Sequence, residues 1–154
     1  MKSFFIFCLL ILTFYCCEAQ KLETRYYPSF HLNGRCFIIC KDIDSCTLQL
    51  DVIDRKDSTK IIWSETRFVS VKYMNDIKKI FETANNLTST KPYCLDGMYV
   101  SGVFESKDSY YEFVCHCPFK GIQYDFLKQI HKTMRKTLKD RKSKRYIRVI
   151  REYL

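Results

Sequence analysis

The chain has 154 residues, 47% of them hydrophobic and 16% aromatic, with a formal net charge of +9. That length and apolar content suit one folded domain and exclude a globally disordered chain, while four Gly and three Pro leave little material for a flexible linker. No internal repeat, phosphate-cradling glycine loop or serine-hydrolase elbow is present, so shape and charge carry what functional signal the chain has.

Residues 1–19 have the layout of an export signal: Lys2 at the start, an apolar run from Phe4 to Tyr15, then small side chains at Cys17 and Ala19. Cleavage after Ala19 would start the mature chain at Gln20. The apolar run ends at Glu18, short of the roughly 20 residues that a membrane-spanning helix requires, so no permanent span is expected. A lipid anchor on Cys16 or Cys17 is disfavoured by the bulky Tyr15. The sequence thus predicts an exported protein, secreted or periplasmic, with a single domain over residues 20–154.

Residues 26–32 are aromatic-rich and run into Asn33-Gly34, a dipeptide suited to the positive φ angles of a tight hairpin turn. A returning strand follows over 35–40. Pro28 lacks an N–H, which predicts an edge position for the first strand. Cys46, Leu48, Leu50 and Val52 alternate with polar residues, the period of a strand with one buried face. Residues 59–68, around Trp63, supply a fourth extended segment, and the acids Asp42, Asp44, Asp51, Asp54 and Asp57 are expected to decorate turns. The period then lengthens: Tyr73, Ile77, Ile80, Phe81, Ala84 and Leu87 mark an amphipathic helix. A hairpin is expected over 98–105 and 110–117, and Pro118 ends it. Ile122, Phe126, Leu127, Ile130, Met134 and Leu138 form the apolar stripe of a C-terminal helix; after 140–144 a second short stripe of Tyr146, Val149, Ile150 and Tyr153 follows, as one bent helix or as two. The expected fold is α+β: a disulfide-stabilised antiparallel sheet, made of a four-strand meander plus the later hairpin, with an amphipathic helix and a basic helical tail over 120–154.

Loss of the leader leaves six cysteines: Cys36, Cys40, Cys46, Cys94, Cys115 and Cys117. Export favours pairing, which predicts three disulfides. Along a strand Cys36 and Cys40 lie about 13 Å apart, and Cys115 and Cys117 about 6.6 Å apart with a residue between them. Neither pair closes on itself, so the bridges are expected to join the 36–46 region to Cys94 and the 115–117 region. Zinc is the rival use of Cys115-His116-Cys117 with Cys36 and Cys40. It is disfavoured by the single intervening residue, because structural zinc pairs are separated by two or more. His31, His116 and His131 lie in separate segments and assemble no local triad with a cysteine. No cofactor or metal is expected.

Charge is unevenly spread. Residues 21–119 hold 13 Lys/Arg and 13 Asp/Glu, whereas residues 120–154 hold 12 Lys/Arg and 3 Asp/Glu. The candidate anion-binding side chains are Lys128, Lys132, Arg135, Lys136, Lys139, Arg145, Arg148 and Arg151. Tyr26, Tyr27, Phe30, Tyr99, Tyr110 and Tyr111 form a second candidate, an aromatic stacking platform, although strand propensity also accounts for them.

The leader ending in Ala19-Gln20, and the segment Leu95-Asp96-Gly97 followed by a hairpin, Pro118 and a long helix, resemble small exported proteins of Bacteroidota type. That resemblance implies no activity and transfers no site residue. In a eukaryotic secreted protein Asn86-Leu87-Thr88 would instead be a glycosylation sequon. The functional expectation is a non-enzymatic interaction protein, of inhibitor, immunity or effector type, that binds a protein partner. Its rival is an electrostatic binder of anionic envelope components, lipids or nucleic acid through the basic tail. A small hydrolase or thiol enzyme comes third.

Overall fold

The computed structural model describes residues 19–29, 33–40, 45–83, 97–107, 109–117 and 121–154. Residues 1–18 of the expected leader, Cys94, the 86–88 sequon, Leu95-Asp96, Pro118, His31, Phe30, Asp42 and Asp44 lie outside the described residues.

The architecture is α+β, as the periodicities predict. Strands β1 (Gln20–Pro28), β2 (Asn33–Cys40), β3 (Ser45–Ile53) and β4 (Ile61–Ser70) precede helix α1 (Val71–Thr83). Strands β5 (Met98–Ser106) and β6 (Ser109–His116) then lead to α2 (Ile122–Thr137) and α3 (Arg141–Glu152). All neighbours are antiparallel in one six-stranded sheet of order β4-β3-β2-β1-β5-β6.

The meander and the hairpin join along β1, which pairs with β2 on one side and with β5 on the other. The first strand is therefore central rather than at an edge. Pro28 is tolerated because it is the last residue of β1, paired opposite Met98. Asn33-Gly34 is likewise no turn: both residues belong to β2, and Gly34 sits opposite Tyr26 and Val52. Glycine is required there for space. A Cβ at Gly34 would collide with the ring and hydroxyl of Tyr146 on α3.

Alternation directs Leu22, Tyr26, Cys36, Ile38, Leu48, Leu50, Val100, Phe104, Phe113 and Cys115 to the helix-covered face, where all are buried. The helices close over them with Met74 and Ile77 of α1, Phe126, Leu127, Ile130 and Met134 of α2, and Tyr146, Ile147 and Ile150 of α3. Phe113 and Phe126 meet edge to face with centroids 4.7 Å apart, joining sheet to helix. The predicted stripe of α2 is core except Ile122, which is 40% exposed in the first turn. In α3 the buried residues include Ile147, which the sequence reading passed over, while Val149 and Tyr153 stand at the rim.

Of the two arrangements open to the tail, the structure has two helices, separated at 138–140. Two carboxylates make that break. Asp140 is the N-cap of α3 and accepts from the backbone N–H of Lys142 at 2.7 Å. Glu65 of β4 accepts from the backbone N–H groups of Lys139 at 3.0 Å and Asp140 at 3.2 Å, and from the Arg67 guanidinium at 2.9 Å. Burial alone would raise the Glu65 carboxyl, but hydrogen bonds from Ser143, Lys139, Arg67 and Asp140 outweigh it and hold it below the usual glutamate range. Ser143 in turn accepts the Trp63 indole N–H at 3.1 Å. A relay from Trp63 through Ser143 to Glu65 thus fixes the start of α3 on the edge strand.

The cysteine pairing differs from expectation. Cys40 and Cys46 face each other in the β2–β3 register and form a disulfide, with Cα atoms 4.1 Å apart. Cys36 and Cys115 are buried free thiols. Three strand spacings separate β2 from β6, roughly 14 Å, so those two cannot meet. Cys117 is disulfide-bonded, to a partner outside the described residues. Asp51 departs from the turn expectation as well: it is buried within β3 and accepts from Gln49 and Ser64.

Candidate anion-binding surface

All eight predicted basic residues, Lys128, Lys132, Arg135, Lys136, Lys139, Arg145, Arg148 and Arg151, are exposed. They do not form one patch. The apolar stripe of each helix is turned inward, so the cations divide according to the flank they occupy.

One group converges. Arg135 and His131 of α2 and Lys144, Arg148 and Arg151 of α3, with Ile147 as floor, line a groove of about 210 Å³ between the two helices. None of the lining residues is acidic, and none of the four cations is ion-paired among the described residues. Lys144 is the member that the sequence reading omitted. Its place follows from the helical period, since Lys144, Arg148 and Arg151 lie at three- and four-residue spacings on one flank of α3. Like charges at such spacings destabilise a helix by about 0.2–0.5 kcal/mol per pair. The arrangement therefore opposes helix stability.

His131 sits at the groove wall with Nε2 3.1 Å from the Ile147 carbonyl oxygen. Burial, with further repulsion from Arg135 and Arg151, lowers its pKa below the usual histidine value despite the raising effect of that hydrogen bond. The imidazole is accordingly neutral at pH 7, and the positive field comes from the four permanent cations.

The other predicted cations have different surroundings. Lys128 lies over the Tyr124 ring at 4.9 Å, and Lys139 donates to the Lys136 carbonyl oxygen at 2.7 Å. Arg145 faces the opposite flank of α3, toward β4.

The aromatic platform is divided by the sheet. Tyr26 is fully buried and Tyr111 packs against the core, whereas Tyr27 and Tyr99 pair on the uncovered face with centroids 5.6 Å apart. Tyr110, also on that face, is hydrogen-bonded to Glu112. On the uncovered face Lys21 and Arg25 share an acidic partner: Glu23 lies 3.5 Å from Lys21 and 2.8 Å from Arg25.

The thiols show no activating environment. Burial, partly offset by the Thr24 hydroxyl, pushes Cys36 up to about 12, and burial pushes Cys115 up to about 12. Cys115 points into the core while His116 lies on the opposite face of β6, and Cys117 is disulfide-bonded, so the Cys-His-Cys triplet is not a convergent ligand set. Among the described residues no cluster of three His, Cys, Asp or Glu is placed to hold a metal ion, and no helix is long and apolar enough to cross a membrane.

No protein-family model matches the chain, and no curated protein or solved structure shows significant similarity to it.

Proposed function

We propose that this protein is an exported, non-enzymatic binding module whose partner is anionic, and that the groove between α2 and α3 is its working surface. The observation that carries this reading is the convergence of Arg135, Lys144, Arg148 and Arg151 on one acid-free groove. Clustered cations that no carboxylate among the described residues neutralises attract a partner presenting several phosphates, sulfates or carboxylates, and do so over distances of about a Debye length. The rest of the described structure supports a scaffold role: a closed core, buried thiols pushed away from reactivity, and a second outer face on which Lys21 and Arg25 are paired with Glu23. Export, expected from the leader, is consistent with the Cys40–Cys46 disulfide.

Heparin binding by the oxidised mature protein tests the reading. Affinity should fall steeply between about 50 and 200 mM salt, and Arg148→Glu should weaken it by about tenfold or more, a change of roughly 1.4 kcal/mol. Salt-independent binding, or an unaffected Arg148→Glu variant, would reject the groove.

A further inference from the structure

The opposite flank of α3 carries a second recess, distinct from the groove in both lining and character. Between this helix and the edge strand β4 lies a cleft of about 330 Å³ lined mainly by Trp63, Ile62, Tyr146 and Val149, with Lys142 and Arg145 beside them. Its walls are apolar and its charged groups are both cationic. Nothing in the described structure pairs Lys142 or Arg145 with a carboxylate.

The cleft is also held in shape. Trp63 donates its indole N–H to Ser143, which is itself fully buried and bound to Glu65, so the ring is fixed from behind. The Lys142 ammonium stands 4.7 Å from the Trp63 ring centroid, which sets one cation directly over the apolar wall. On the neighbouring part of β4, Ile61 and Ile62 remain 46% and 41% exposed. Apolar surface left in water beside unpaired cations matches a ligand with the complementary division, an apolar body ending in an anion.

We infer that this cleft is a binding site for a single-chain anionic amphiphile of the fatty-acid class, its alkyl chain against Trp63, Ile62, Tyr146 and Val149 and its carboxylate between Lys142 and Arg145. The volume decides for one chain: it stands at the lower end of the roughly 300–1,000 Å³ typical of small-ligand sites. The head-group chemistry follows from Arg145, whose planar guanidinium presents paired donors that match a carboxylate, with Lys142 adding a second charge. This site goes beyond the polyanion groove and shares none of its lining residues.

Trp63 is the chain's single tryptophan, so its fluorescence reports on the cleft without labelling. The oxidised mature protein is titrated with decanoate below its aggregation threshold, and in parallel with 1-decanol and with acetate. Decanoate should shift the Trp63 emission saturably; 1-decanol should require at least about tenfold more, and acetate should do nothing. Arg145→Glu should weaken decanoate by about tenfold or more with an unchanged far-ultraviolet spectrum, while Arg148→Glu, in the groove, should leave it within about twofold. The inference fails if decanoate gives no saturable shift, if 1-decanol matches it, or if Arg145→Glu has no effect. It fails equally if Arg148→Glu costs as much as Arg145→Glu, because the attraction would then be general rather than seated in the cleft.

Discussion

The uncovered face of the sheet and the outer surface of α2 and α3 are built from the same kinds of charged residue, yet they arrange them differently. On the sheet, residues two apart share a face, and Lys21, Glu23 and Arg25 alternate in sign, so each cation has the Glu23 carboxylate within 3.5 Å. On the helices, residues three and four apart share a flank, and Lys144, Arg148 and Arg151 carry the same sign. The difference teaches that net charge is a poor guide to a binding surface. What matters is whether the local period brings like or unlike charges together.

The strongest way to break the comparison is to remove the layer on which the helices rest. Phe126→Ala deletes the edge-to-face contact with Phe113 at the sheet–helix junction and should cost about 3–5 kcal/mol in urea denaturation, and Phe126→Asp should prevent cooperative folding. Retained stability in both would mean that α2 is not anchored through this stripe. Replacing Cys40 and Cys46 together by Ala frees a short loop and should cost about 2 kcal/mol on the chain-entropy scale. In the oxidised protein, Cys36 and Cys115 should react with iodoacetamide only after unfolding, since both are buried and pushed up to about 12. Rapid native labelling at either would contradict the buried-thiol assignment.

Smaller changes sharpen the comparison. Glu65→Gln weakens the anchor of α3 on β4 and should cost about 1–2 kcal/mol at pH 7. Because the Glu65 carboxyl is depressed on folding, its contribution is fully present above the unfolded value of about 4.3 and is lost as pH falls through the lower folded value. The stability gap between wild type and variant should therefore narrow below about pH 4. A gap independent of pH would mean that the charge of Glu65 contributes nothing. The smallest effect belongs to His131. Its protonation, displaced to below the usual histidine range, adds a cation beside Arg135 and Arg151, so heparin affinity should rise by less than about tenfold from pH 7 to pH 5, and His131→Gln should flatten that rise.

Periodicity carried most of the fold. The alternation of Cys46, Leu48, Leu50 and Val52 and the stripe Phe126, Leu127, Ile130 and Met134 read correctly because one face of each element is buried. Long-range partnerships were less visible. Pro28 and Gly34 carry local signals for an edge and a turn, but tertiary context overrides both: β5 arrives from much later in the chain to pair with β1, and Tyr146 occupies the space above Gly34. The Cys40–Cys46 bridge is not legible from spacing along one strand, because it spans two antiparallel strands in which residues six apart face each other. Most of the basic residues were legible, Lys142 and Lys144 excepted, but their division into a groove and a cleft was not, since that depends on the packing of α2 and β4 against the two flanks of α3.

A charge-matched comparison of two variants tests the central claim most directly. One reverses Arg135, Lys144, Arg148 and Arg151 to Glu; the other reverses Lys128, Lys132, Lys136 and Lys139, which do not line the groove. Both change the net charge equally, so any long-range attraction falls by the same amount. The groove variant should lose measurable heparin binding at about 0.15 M salt, while the second keeps affinity at least about tenfold above it. Equal losses in the two variants would show that binding follows total charge and that the groove has no special role.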